Sequence, residues 1–226
     1  MNSFNVFKKV LSVVLCVALI AACFAGCTSA KKTEKGEGQS VSVPADAPNP
    51  VVTITMSDKS VMKAELYYDK APQTVCNFIY LIERGFYDGV IFHRIVKDFV
   101  IQAGDPTYTG GAGLTYTIKG EFSANGVEND LSHEKGVLSM ARTAQDMDSA
   151  SGQFFICASD EQFLDGQYAA FGKLIGQESF AALDKISAAQ TDSMDRPVSD
   201  IKIATATVDT YGVDYPDPQI SSGTLT

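Results

Sequence analysis

Short stretches in which apolar and polar residues alternate are the main feature of the chain after residue 50. Apolar side chains alternate with threonines over residues 52–56, and with charged residues over residues 62–66. This period of two predicts half-buried antiparallel strands. Asp58-Lys59, between the two stretches, predicts a hairpin turn, and Ile201-Lys202-Ile203 begins a similar strand near the C-terminus.

Two other stretches have the period of a helix. Residues 71–84 carry Pro72 near the first turn and are followed by Gly85, which are start and stop signals for a helix. The second stretch covers about residues 178–187. In both, apolar residues recur with a helical spacing that defines one buried face: Val75, Phe78, Ile79 and Ile82 in the first, and Phe180, Leu183 and Ile186 in the second.

Many short strands with two amphipathic helices predict a mainly β fold. Closure of an antiparallel sheet removes its exposed edges, so the pattern favours a closed antiparallel β-barrel plugged at its ends by the two helices. Residues 51–211 are enough for one substantial core and contain no internal repeat. Residues 212–226 form a polar segment, which we expect to be a loosely ordered tail.

The first 26 residues predict an export signal. Lys8-Lys9 precede an apolar run over residues 10–25 that is short for a membrane-spanning helix. The run ends in Phe24-Ala25-Gly26-Cys27, which resembles a bacterial lipobox, with Cys23 as an alternative lipidation site. We expect residues 1–26 to be a lipoprotein signal peptide and residues 27–50 to be a lipidated Cys27 with a flexible tether. The alternative is plain secretion without a lipid.

Charge and cysteine content narrow the range of partners and cofactors. The formal net charge is −9, and no Lys/Arg cluster stands out after the signal, so nucleic acid is not an expected partner. Cys76 and Cys157 have no C-x-x-C partner, and two distant histidines make no metal pattern. The sequence therefore predicts no metal and no other cofactor. Two buried free thiols are favoured over a Cys76–Cys157 disulfide.

The most informative stretch is residues 92–105, Phe-His-Arg-Ile-Val-Lys-Asp-Phe-Val-Ile-Gln-Ala-Gly-Asp. Its first half predicts a strand that carries Arg94 among apolar residues, and a second apolar run is closed by Gln102. A few fixed donors beside apolar surface are typical of a recognition pocket.

This stretch closely resembles the signature of the cyclophilins, a family of prolyl cis/trans isomerases. Further motifs in family order extend the resemblance over about residues 51–209: residues 65–72, 85–89, 136–142, 151–156 and 164–173. The resemblance implies an eight-stranded barrel and a peptidyl-prolyl cis/trans isomerase that assists the folding of exported proteins.

The resemblance also implies roles for individual residues. Arg94, Phe99 and Gln102 would be catalytic, with Arg94 donating to the prolyl nitrogen, Phe99 as the floor of the proline pocket and Gln102 orienting the substrate backbone. The other substrate-binding residues would be Val100, Phe155, Leu164 and Tyr168 in the apolar cup, Ala141, Arg142 and Gln153 near the residue before proline, and Phe163.

Three of these positions depart from the pattern of many eukaryotic members. Phe163 stands where they carry Trp, Tyr168 where they carry His, and Arg142 where Asn is frequent. The departures leave Arg94 in place but put cyclosporin affinity and substrate preference in doubt.

Two functions other than that of an isomerase are also compatible with the sequence. The chain could be a proline-binding chaperone or holdase with incidental catalysis, or a structural envelope lipoprotein. We expect a monomer that acts on proline-containing polypeptides, exported and anchored by lipid to the cell membrane, with its domain on the extracytoplasmic side.

Overall fold

The computed structural model of the protein describes residues 42–110 and 113–225. The predicted signal peptide (residues 1–26), the predicted lipidation site Cys27 and the tether up to residue 41 lie outside the described residues. The helices are α1 (Pro72–Glu83) and α2 (Gln177–Ser187), with two short 3₁₀ turns at Ser123–Asn125 and Gln162–Leu164. The strands are β1 (Val51–Met56), β2 (Val61–Leu66), β3 (Arg94–Val96), β4 (Val100–Ala103), β5 (Tyr116–Ile118), β6 (Val137–Met140), β7 (Phe154–Cys157), β8 (Ala170–Ile175), β9 (Ile203–Asp209) and β10 (Ile220–Gly223).

Eight of the strands form one antiparallel sheet in the order β3-β4-β7-β6-β8-β2-β1-β9, and β5 pairs with β10. The predicted hairpin at Asp58-Lys59 joins β1 to β2, with Lys59 at a φ of 73°. Both predicted helices are present within one residue of the predicted bounds. The mainly β architecture with an eight-stranded antiparallel sheet and two helices is therefore confirmed.

The prediction that the barrel is closed is wrong. Among the described strands, the end strands β3 and β9 share no ladder, and an isolated bridge between Ile91 and Lys202 joins the segments that precede them. β3 has only three residues, and the Ile95 N–H on its outer edge donates to the carbonyl of Asp195 at 2.7 Å. The loop carbonyl of Asp195 thus takes the hydrogen bond that a neighbouring strand would otherwise make with this edge of β3. The sheet curls into a half-barrel that is open between β3 and β9.

The main core fills the inside of this half-barrel. Its centre is an aromatic cluster in which the Phe78 ring lies 5.0 Å from Tyr87, 5.2 Å from Phe154 and 5.0 Å from Phe171. Full burial of each such ring contributes about 2–3 kcal/mol. Helix α1 packs against β9 and β5, and α2 packs against β2 and β8. The four apolar positions predicted for α1 are all buried.

The C-terminal segment differs from the loosely ordered tail that we expected. β10 pairs with β5, the Gln219 N–H donates to Gln73 Oε1 at 2.7 Å, and Tyr215 packs edge-on against Tyr68 with 5.4 Å between ring centroids. The expectation is wrong because backbone pairing does not require apolar side chains. The polar composition therefore concealed a strand whose partner lies a hundred residues earlier in the chain.

The end of the predicted tether also contacts the domain. Pro50 is buried, and its carbonyl accepts the Leu66 N–H at 2.9 Å. Asn49 Nδ2 donates to Glu65 Oε1 at 3.2 Å. Residues 49 and 50 thus extend the hairpin edge beyond the predicted start of the domain.

Cys76 and Cys157 are buried free thiols, as the sequence favoured. Burial raises the pKa of each thiol to about 12. Both are therefore protonated at neutral pH and act as small apolar side chains.

Glu121 caps helix α1 from a distant part of the chain. Ala71, at the N-cap position, has no capping side chain. The buried carboxylate of Glu121 instead accepts the N–H groups of Gln73 at 2.9 Å and Thr74 at 2.8 Å, and the Thr74 hydroxyl at 2.7 Å. Burial raises the pKa of Glu121, and these hydrogen bonds oppose the shift. The carboxylate also complements the positive end of the helix dipole.

Replacement of Glu121 by Ala should therefore lower the free energy of unfolding by about 2–3 kcal/mol, because three donors at the helix start lose a charged acceptor. Urea denaturation would measure the loss. The exposed Glu128 provides a control, since Glu128→Ala should stay within about 0.5 kcal/mol of the parent. Equal stability of the two variants would show that water caps the helix as well as Glu121 does.

Candidate active site

The candidate residues lie on the outer face of the sheet, opposite the main core. Across neighbouring strands, Arg94 pairs with Gln102, Gln102 with Phe155, and Phe155 with Ser139. Residues paired in this way share one face of a sheet. The residues next to them along the strands point the other way and are buried in the main core, among them Ile95, Ile101, Phe154 and Ile156.

Nine of the predicted side chains line one cavity of about 310 Å³ on this face. They are Arg94, Phe99, Val100, Gln102, Ala141, Arg142, Phe155, Leu164 and Tyr168. The strands supply Arg94, Val100, Gln102 and Phe155, and the 3₁₀ turn at Gln162–Leu164 supplies Leu164. The volume lies at the lower end of the range for small-molecule pockets.

The floor of the cavity is a second apolar cluster, separate from the main core. Val100, Phe155, Cys157 and Leu164 are buried there, and Phe99, Ala141 and Tyr168 pack against them. Tyr168 meets Phe155 edge to face, with ring centroids 5.7 Å apart. Such a cup accepts a small apolar ring and keeps water from it.

Arg94 places a permanent charge beside this apolar cup. Its side chain is 39% exposed, and its Nε lies 3.6 Å from Oδ2 of Asp195 in an ion pair. Among the described residues that line the cavity, Arg94 and Arg142 are the charged ones. The cavity therefore offers guanidinium donors to an electron-rich group, with no carboxylate in its lining.

Arg142 forms a wall of the cavity and is held in place by its own neighbours. Its guanidinium lies 4.7 Å from the centroid of the Tyr168 ring, its Nε donates to the carbonyl of Gln167 at 3.0 Å, and its Nη1 donates to the carbonyl of Thr143 at 2.9 Å. These contacts hold the guanidinium against the Tyr168 ring and satisfy two of its N–H groups.

Gln153 lies beside the cavity rather than in its lining. It lines an adjacent cavity of about 250 Å³, to which Gln102, Ala141 and Arg142 also contribute. Its Oε1 accepts from Gln102 Nε2 at 2.9 Å, and its Nε2 donates to the carbonyl of Gly110 at 3.3 Å. Gln153 thus holds the amide of Gln102 between the two cavities.

A close backbone contact keeps this corner in place. Gly104 has a φ of 95°, and a Cβ there would lie 2.1 Å from the carbonyl oxygen of Gly152, so only glycine fits. Asp105, which is fully buried, then accepts the N–H groups of Thr107, Thr109 and Gly110 and so shapes the next loop.

Among the predicted catalytic and substrate-binding residues, Phe163 is the one outside both cavity linings. It is 70% exposed and stacks on Phe99 with ring centroids 5.8 Å apart and an interplanar angle of 18°. It therefore shields the outer face of Phe99, and its exposed side is available to a longer ligand.

Comparison with known proteins agrees with this geometry. The family model "Cyclophilin type peptidyl-prolyl cis-trans isomerase/CLD" matches residues 51–208. The chain belongs to the cyclophilin family. It is therefore a peptidyl-prolyl cis-trans isomerase, and similar relatives in fungi, plants and Helicobacter carry that name.

Individual relatives show the extent of the similarity. A peptidyl-prolyl cis-trans isomerase of Schizosaccharomyces pombe is 41% identical over 143 residues, which are 63% of this chain and 88% of the relative. The human peptidyl-prolyl cis-trans isomerase-like 1 is 36% identical over 165 residues, covering 73% and 96% of the two chains.

A cyclophilin-type isomerase of Cryptosporidium parvum is a similar solved structure. Its TM-score is 0.65 at 31% identity, with 71% of this chain and 98% of the other covered. A second structure of the Cryptosporidium protein, solved in the presence of the dipeptide Ala-Pro, has a TM-score of 0.62 at 32% identity and covers 70% and 98% of the two chains.

Sequence reasoning missed a buried polar group beneath the floor of this cyclophilin's cavity. His133 is fully buried and stacks on Phe155 with ring centroids 6.1 Å apart. Its Nδ1 lies 2.8 Å from Asp165 Oδ1, and its Nε2 lies 3.0 Å from the hydroxyl of Ser139. Because an ionised carboxylate can only accept, Nδ1 carries the proton and Nε2 accepts from Ser139. A polar Ser139 within an otherwise apolar strand was the signal for this group in the sequence.

The group ties the 3₁₀ turn that bears Leu164 to the sheet. Asp165 follows this turn, and it also accepts the backbone N–H of His133 at 2.7 Å and the hydroxyl of Ser132 at 2.8 Å. Burial acts to raise the pKa of Asp165, but the hydrogen bonds from His133 and Ser132 prevail and lower it. The carboxylate is thus held ionised beside a neutral imidazole.

The His133 ring should titrate below the ordinary pKa of 6.5, because burial lowers its pKa more than Asp165 raises it. Below about pH 6.5 the unfolded chain then binds a proton at this residue that the folded chain does not. The contribution of His133 to stability is therefore full above pH 6.5 and falls as the pH drops below it. NMR titration of the ring protons would give the midpoint. Asp165→Asn should lower the midpoint further, and a midpoint at or above 6.5 in the parent would contradict the prediction.

Proposed function

We propose that X–Pro bonds rotate in the 310 Å³ cavity on the outer face of the sheet, with Arg94 as the catalytic residue. The observation that carries the proposal is the position of the Arg94 guanidinium beside the apolar cup, whereas the other guanidinium in the lining, that of Arg142, is held by Tyr168 and two carbonyls. A ligand ring that enters the cup brings the atoms next to it within reach of this guanidinium.

The reaction needs no bond to be made or broken. Amide resonance imposes a rotation barrier of about 18–20 kcal/mol, and uncatalysed X–Pro bonds rotate in tens to hundreds of seconds. As the amide twists, the prolyl nitrogen loses conjugation and regains a basic lone pair. A donor that bonds this lone pair stabilises the twisted state more than the planar one, which is the condition for catalysis.

The other lining residues would hold the substrate. Phe99, Val100, Phe155, Leu164 and Tyr168 would enclose the pyrrolidine ring and strengthen the Arg94 donation by excluding water. The Ala-Pro dipeptide used with the Cryptosporidium relative supports a proline-containing ligand.

Gln102 would hold a substrate carbonyl, supported by Gln153. The Ala141 N–H already donates to the carbonyl of Gln153 at 3.0 Å. Backbone pairing with the residue before proline therefore falls to the Ala141 carbonyl and to the backbone of Arg142.

Arg94→Ala should lower kcat/KM by about 100–1000-fold, the value of one charge-stabilising donor in a water-poor site. Ground-state binding of a proline peptide should change little, because the donation occurs only in the twisted state. Arg94→Lys should recover little, since an ammonium lacks the planar fork. The catalysed cis-to-trans rate on a Pro peptide is the measurement, and circular dichroism checks the fold.

Lys97 supplies a matched control for this experiment. It is an exposed cation in the turn of the same hairpin, so Lys97→Ala removes the same charge without touching the cavity. We expect a near-parental rate for Lys97→Ala. A folded Arg94→Ala protein with a near-parental rate would refute the role of Arg94, even though the protein would remain an isomerase.

We also propose that the isomerase is exported, anchored to the cell membrane by lipid at Cys27, and assists the folding of exported proteins. The support is the sequence pattern alone: a basic start, an apolar run of limited length, Phe24-Ala25-Gly26-Cys27, and a polar segment that follows at once. A diacylglycerol anchor has two chains, the number needed for stable membrane association.

Cys27→Ser should release the protein from the membrane fraction or leave the precursor unprocessed, because the thioether to lipid cannot form. Membrane fractionation and metabolic labelling with a fatty acid would measure this, and Cys23→Ser is the matched control. If Cys27→Ser is still labelled and Cys23→Ser is not, Cys23 is the lipidation site. No label in the parent would point to plain secretion.

A further inference from the structure

A loop that no predicted motif includes lies against the strand that carries Arg94. Residues 191–197 are part of the connection between α2 and β9, and within them Asp195 makes two contacts with β3. Its backbone carbonyl accepts the Ile95 N–H at 2.7 Å, and its carboxylate Oδ2 lies 3.6 Å from Nε of Arg94. The same residue therefore closes the edge of the sheet and pairs with the proposed catalytic side chain.

The loop holds Asp195 in this position without help from Arg94. Asp192 Oδ1 accepts the N–H groups of Met194 at 2.8 Å and Arg196 at 3.0 Å, and the Asp192 N–H donates to the Arg196 carbonyl at 2.8 Å. Asp195 has a φ of 62°, in the left-handed region that Asp and Asn tolerate. Arg196 Nη1 also donates to the carbonyl of Tyr108 at 3.2 Å, which fastens the loop to the segment after β4.

We infer that Asp195 is a positioning residue for the isomerase reaction, one that orients the guanidinium of Arg94 toward the cavity. The inference rests on the proposed role of Arg94. The Arg94 side chain is 39% exposed and has several rotatable bonds, so without a partner it would sample many orientations. With its Nε beside Asp195, its Nη groups are left for the prolyl nitrogen.

Removal of this carboxylate should raise the catalytic rate if its charge matters more, and lower the rate if its positioning of Arg94 matters more. A negative charge 3.6 Å from Arg94 weakens the positive potential at the cavity, so if charge alone mattered its removal would speed catalysis. If orientation matters more, removal slows catalysis. The direction of the change therefore separates the two roles.

Asp195→Asn tests the inference, because Asn keeps the shape, the left-handed backbone and the carbonyl to Ile95. We expect kcat/KM to fall by about three- to fivefold, the range that a half-exposed ion pair supplies. Ground-state affinity for a blocked, uncharged Ala-Pro peptide should stay unchanged. Asp195→Gly also keeps the backbone conformation, and its kcat/KM should fall by a similar factor.

Asp200→Asn is the charge-matched control, since Asp200 is an exposed carboxylate on the rim of a different cavity. Its rate should equal the parent's. The salt dependence of the rate is a second measurement, and a merely structural role of Asp195 would not change it. The gap between parent and Asp195→Asn should narrow as ionic strength rises to about 1 M, where the Debye length is only about 3 Å.

Combining Asp195→Asn with Arg94→Ala distinguishes a failure of the Asp195 inference from a failure of the Arg94 proposal. There, Asp195→Asn should have no effect, because no guanidinium remains to be oriented. An equal loss in both backgrounds, or a rate equal to or above the parent in Asp195→Asn alone, would overturn the positioning role while leaving that of Arg94 intact. A near-parental rate of Arg94→Ala would instead refute the proposed catalytic role of Arg94, and the inference about Asp195 with it.

Discussion

The register between β3, β4, β7 and β6 is the constraint on which the rest of the site depends. It sets Arg94, Gln102, Phe155 and Ser139 in one row on the outer face, while their neighbours along each strand fill the core. Because side chains alternate with a period of two, a slip of one residue would carry Arg94 inside and expose core residues to water. Burial of the core therefore enforces the geometry of the site on the opposite face.

The open edge of the half-barrel is the second determinant. A closed barrel would pair β3 with β9 along this edge. Here a loop carbonyl satisfies Ile95, and the same loop brings a carboxylate to the guanidinium. An unclosed sheet edge thus becomes a place where a residue distant in sequence contacts the proposed catalytic side chain.

Buried polar groups hold the parts together where apolar packing alone would not choose one arrangement. His133, Ser139 and Asp165 join the 3₁₀ turn to the sheet beneath Phe155, and Glu121 fixes the start of α1. Each donor or acceptor in these groups has a partner, so their burial is compensated. They bind segments that are far apart in sequence and thereby set the shape of the cavity.

The sequence by itself determined the two helices, the alternation of the β1–β2 hairpin, and the nine residues that meet in one cavity. These depend on local periodicity and on a linear motif in family order, both of which can be read along the chain. Four features were decided only by the tertiary structure: the open barrel, the docking of the C-terminal strand, the cap from Glu121, and the contact of Asp195 with Arg94. Each depends on backbone or carboxylate contacts between residues about fifty or more positions apart, and such contacts leave no periodic trace in the sequence.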